Sequence, residues 1–133
     1  MIGISINAVL DGIYAASALR RARGADVPDL LNHRHHDMLR RVARDVLARI
    51  FMALGPAVTA SNVADIEADD DIITVELGFE PPHPGVLKAE LEALLTAGIL
   101  AVAGIGDAAF VAGVEALRES MTPQAAVGRI VRA

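Results

Sequence analysis

A chain of 133 residues can bury one core but not two independent ones, so residues 1–133 are expected to form a single domain. They are 53% hydrophobic but only 3% aromatic, which leaves the core to Ala, Val, Leu and Ile, disfavours an aromatic-rich β sandwich and predicts a mainly α (α+β) fold. The lack of cysteine excludes disulfides, thiolate catalysis, zinc ribbons and iron–sulfur ligation, and the net charge of −5 is unevenly spread: residues 20–49 hold eight Arg against four Asp, and residues 65–92 hold nine acids against Lys88.

The first helix is predicted to begin at Ser5 or Asn7, either of which can cap it, and to bury Ile6, Val9, Leu10, Ile13 and Ser17. Gly24 ends it, followed by Pro28 as a breaker. The stretch Met1–Ala16 has no basic residue ahead of its apolar run and carries Asp11, so it does not read as a secretory leader, and a cytoplasmic address is expected. The second helix is capped by Asn32 and closed by Gly55 and Pro56. Its wheel places Leu39, Val42, Ala43, Val46, Ile50, Ala53 and Leu54 on one face and Asp37, Arg40, Arg41, Arg44 and Asp45 on the other.

Residues 57–70 are small, polar and turn-rich, and they lead into "DIITVELGFE", whose alternation of Ile73, Val75, Leu77 and Phe79 with Ile72, Thr74, Glu76 and Gly78 predicts a strand. One strand cannot satisfy its own backbone, so a partner is required. Three candidates stand open: residues 58–66 as a hairpin, the "IGISI" start, or the same strand in another copy. Val86–Ala103 predicts a helix that is apolar nearly all round in its second half, with Ala97, Gly98, Ala101 and Gly104 allowing close approach of another backbone. Its longest uncharged run, Ala93 to Gly106, is 14 residues, short for a bilayer span. Asp107 starts a fourth helix, and Thr122 with Pro123 a short terminal one. The expectation is thus about four helices, a short terminal helix, and a strand or hairpin around residues 58–80.

The stretch "NHRHHDMLRR" gathers His33, His35, His36 and Asp37 at the start of the second helix, where i, i+3 and i+4 spacing lets three side chains share a cation. Against that, the neighbouring arginines repel a dication, and Arg40 and Arg41 stand one turn ahead of Asp37 as ordinary ion-pair partners. "DIEADDDIITVE", Asp65–Glu76, has the acid spacing of a calcium loop, but Asp70 stands where the loop needs glycine and a strand follows in place of a helix. Gly104-x-Gly106-x-x-Ala109 has dinucleotide-fingerprint spacing, yet the second strand and its acid cannot be completed before Ala133. These glycines read better as the turn between two antiparallel helices.

No hydroxyl in the chain sits in a nucleophile motif, so no catalytic residue and no cofactor is assigned. The preferred expectation is a non-catalytic, self-associating structural or adaptor subunit, such as would suit a phage-type assembly, and a homo-oligomer off the membrane. In it, Arg34, Arg40, Arg41 and Arg44 meet Glu67, Asp69, Asp70 and Asp71, within one chain as an ion network or between chains as a head-to-tail contact. The alternatives are a metal-binding or metal-regulated protein using His33, His35, His36 and Asp37, and a small regulator touching nucleic acid through Arg34 to Arg49.

Overall fold

The computed structural model describes residues 2–54, 58–59, 72–77 and 81–120. Strand β1 (Ile2–Ser5) leads directly into helix α1 (Ile6–Ala22), and a 3₁₀ turn at His33–His35 leads directly into α2 (His36–Leu54). Strands β2 (Val58–Thr59) and β3 (Ile72–Leu77) follow, then helices α3 (Pro84–Val102) and α4 (Asp107–Ser120). The mainly helical fold expected from composition is the one observed.

Local chemistry explains the helix ends. Ser5 is the N-cap of α1, its hydroxyl accepting from the Ala8 amide at 3.1 Å. At the other end Gly24 takes a φ of 83°, and paired bonds from Gly24 N to Arg21 O and from Ala25 N to Arg20 O close the helix in a Schellman motif. The same motif ends α3, with Gly104 at φ 88° and bonds from Gly104 N to Ala101 O and from Ile105 N to Leu100 O. Gly104 and Gly106 therefore form the turn between α3 and α4, as their spacing predicts.

Asn32 behaves differently from the expectation. Its side chain accepts from the Arg34 amide and caps the 3₁₀ turn, and α2 proper begins only at His36. Gly55 and Pro56, expected to close α2, lie outside the described residues, as do the acidic loop of residues 60–71 and the terminal helix expected from Pro123.

The strand question resolves in favour of two partners within the chain. β3 lies in the middle of a β1-β3-β2 sheet, antiparallel to both neighbours, with Ile4 opposite Ile73 and Val58 opposite Leu77. Ile2, Ile4 and Ile73 are buried, and β1 packs on α3. α3 is the central element, touching α1, α2, α4 and β1 and burying Leu87, Leu91, Leu94, Leu95, Gly98 and Ile99.

The closest crossing occurs at Gly98, where a Cβ would lie 2.3 Å from Val46 Cγ1 and 2.8 Å from Phe110 Cε1. At Gly113 on α4 a Cβ would lie 2.7 Å from Leu94 Cδ2. The pairings of Gly98 with Phe110 and of Leu94 with Gly113 run in opposite chain directions, so α3 and α4 are antiparallel. The close approach that the small residues of α3 invite is thus met at Gly98 by helices of the same chain.

On α2 the buried side chains are Leu39, Ala43, Val46, Leu47, Ile50, Phe51 and Leu54. The wheel passed over Leu47 and Phe51, and it set Val42 and Ala53 too deep, since both are only partly buried. Packing on two sides, α1 and α3–α4, widens the buried sector beyond a single stripe.

Candidate functional site

The histidine-rich segment is held against α1. His36 is the first residue of α2, and its ring bridges two side chains that α1 presents two turns apart: Nδ1 lies 2.8 Å from the Tyr14 hydroxyl and Nε2 lies 3.0 Å from Asn7 Oδ1. An amide oxygen only accepts, so Nε2 carries the proton and Nδ1 accepts from the tyrosine. The His33 ring packs on Tyr14 with centroids 4.1 Å apart and 6.5 Å from His36. Burial pushes the Tyr14 hydroxyl above the ordinary tyrosine value of 10.0, and the Asp11 carboxylate adds to the effect. Tyr14 therefore stays protonated and serves His36 as a donor.

Sequence reasoning set Asn7 aside as a possible cap and passed over Tyr14. The signal that would have found them is their i, i+7 spacing, which places two polar side chains on one edge of the buried face of α1.

The four residues of the metal reading are not gathered round one point. His36 spends both ring nitrogens on α1, His33 lies exposed over Tyr14, and His35 turns toward Asp29, with Nε2 3.8 Å from Oδ2. Asp37 is exposed and makes no ion pair with Arg40 or Arg41. Among the described residues no group of three or more His, Asp or Glu is placed to hold a metal ion.

The arginines separate into distinct environments. Arg34 reaches Asp29, with Nη2 2.7 Å from Oδ1 and 2.9 Å from Oδ2, and the pair is 66% and 74% exposed. Arg41 is exposed, whereas Arg40 and Arg44 are half-buried with their Nε atoms out of solvent, and neither lacks a partner. Glu67, Asp69, Asp70 and Asp71 lie outside the described residues. On α1, Arg21 Nη2 donates to Pro28 O at 2.9 Å and ties the connecting loop to the helix end.

Two surface grooves flank α4. One, of about 370 Å³, lies between α3 and α4 and is lined by Glu90, Ala93, Leu94, Gly113, Ala116, Leu117 and Ser120. The other, of about 290 Å³, lies between α2 and α4, with Ala53, Phe110, Val111 and Val114 between Arg49 and Arg118. The α3–α4 groove has both the Glu90 carboxylate and the Ser120 hydroxyl in its lining, and that hydroxyl donates to Leu117 O at 2.8 Å.

Comparison with known protein families, with curated proteins and with solved structures finds no match to this chain. No helix among the described residues is long and apolar enough to cross a membrane.

Proposed function

We propose that this chain is a non-catalytic structural or adaptor subunit that associates with further copies of itself. The observation that carries this reading is the apolar character of its outward helix faces. Leu19 on α1, Met52 on α2, Val86 and Val102 on α3 and Val111 on α4 are all exposed, Met52 to 81%. Isolated apolar side chains are ordinary on a monomer, but here each helix carries at least one, and α1 carries a whole apolar row.

The polar side chains of the histidine segment are meanwhile engaged in holding the fold. His36, Tyr14 and Asn7 bond to one another across α1 and α2, and Arg34 grips Asp29 next door. The exposed arginines Arg41 and Arg49 give the α2 side a positive contribution that an acidic segment of a second copy can meet. The test is sedimentation velocity over a wide protein concentration range at low and high salt. A species larger than the monomer that grows with concentration is expected; a monomer throughout would overturn the reading.

A further inference from the structure

The polar side of α2 carries its charges in a fixed order. Asp37, Arg41, Asp45 and Arg49 follow one another at four-residue steps, alternate in sign and are all exposed. By helix geometry Arg41 and Asp45 point about 20° either side of the direction opposite Ala43, and Asp37 and Arg49 about 60° either side. Ala43 is fully buried, so this row is the outermost face of α2.

Four-residue spacing suits ion pairs along one helix, yet among the described residues none of these four makes one. The engaged arginines of the segment are others: Arg34 holds Asp29, and the half-buried Arg40 and Arg44 do not lack partners. The row has a second property that names what it fits. Read in reverse, acid, base, acid, base becomes base, acid, base, acid, so the face is the electrostatic complement of itself turned end for end.

We infer that two copies pair antiparallel through this face of α2, level with Ala43, with Arg41 of each copy on Asp45 of the other and Asp37 on Arg49. The inference rests on the self-association reading above and names its surface. Sliding the copies by one four-residue step, about 6 Å, would set like charge on like all along the row. Parallel pairing with two-fold symmetry would put each side chain beside its own copy, again like on like. The charges therefore fix direction and register, while Met38 and Met52, 42% and 81% exposed, border the row and supply apolar contact. The antiparallel pair is isologous, so it closes as a dimer.

Charge reversal followed by sedimentation velocity tests this. Asp45→Arg sets guanidinium against guanidinium at two places in the dimer, and Arg41→Asp sets carboxylate against carboxylate, so each should weaken association by about 10-fold or more. Mixing the two variants restores opposite charges across the contact and should recover a dimer containing one of each. The double variant Arg41→Asp/Asp45→Arg also restores the cross-copy pairs, but places like charges at four-residue steps within its own helix. Recovery of association by that variant is expected, and a purely intrahelical role for these charges would not produce it. The positions are exposed, so thermal melting by circular dichroism should stay close to that of the wild type. Association unchanged in Asp45→Arg, or recovered neither by mixing nor by the double variant, would overturn this surface and leave self-association standing. A wild-type monomer at every concentration would remove both.

Discussion

Gly98→Ala probes the crossing on which the helical layer depends. The added methyl would sit 2.3 Å from Val46 Cγ1 and 2.8 Å from Phe110 Cε1, where ordinary contact begins at 3.4 Å, so the Val46 gap must open by 3.4 − 2.3 = 1.1 Å. Phe110 is only partly buried and can rotate, but Val46 is 2% exposed and its β-branched side chain has little rotamer freedom in a helix. Overpacking of this kind costs about 1–3 kcal/mol, and replacing a helical glycine returns about 1 kcal/mol. A net loss of up to about 2 kcal/mol should result, read as a lower urea midpoint by far-ultraviolet circular dichroism. Gly12→Ala, whose Cβ would meet no described atom within 4 Å, should instead gain about 0.5–1 kcal/mol. If Gly98→Ala matched Gly12→Ala in sign and size, α2 and α3 would not cross as closely as described.

Removing the bridge at His36 should cost about 1–3 kcal/mol, since His36→Ala leaves the buried Tyr14 hydroxyl without this partner. In a double-mutant cycle with Tyr14→Phe the two losses should couple by at least about 0.5 kcal/mol, and strict additivity would contradict the bond. Because the folded Tyr14 holds its proton above 10.0, its contribution is complete below that pH and is lost as pH rises toward the folded value. Urea midpoints between pH 9 and 11 should therefore fall for the wild type and flatten in Tyr14→Phe, and an unchanged slope would count against burial of the hydroxyl. Asp29→Asn should shift stability by no more than about 1 kcal/mol, because its pair with Arg34 is well exposed to solvent; a larger drop in thermal melting would mean that the pair anchors the 3₁₀ turn.

Much of the architecture is written in local chemistry. Ser5 as a cap, Gly24 and Gly104 as left-handed helix ends, the alternation of residues 72–77 and the apolar second half of α3 are all readable because each depends on neighbours within a few residues. The histidine segment was legible as a cluster but not as a contact. Ring nitrogens offer the same atoms to a metal or to an amide, and only the approach of α1 assigned those of His36 to Tyr14 and Asn7. Likewise the sign of a charge run does not name its partner: Arg34 took Asp29, five residues away in the chain, when a distant acidic loop was equally attractive by charge.

What the sequence by itself determined is the order of the four helices and β3, the ends of α1 and the glycine end of α3, and the aliphatic make-up of the core, since dihedral preference and hydrophobic periodicity act over one or two turns. Only the tertiary structure decided that β3 lies between β1 and β2, that Gly98 serves α2 and α4 of the same chain, and that α1 keeps an apolar row facing outward. Strand pairing and helix crossing join residues far apart in the chain, and a periodic pattern marks an apolar face without saying what will cover it.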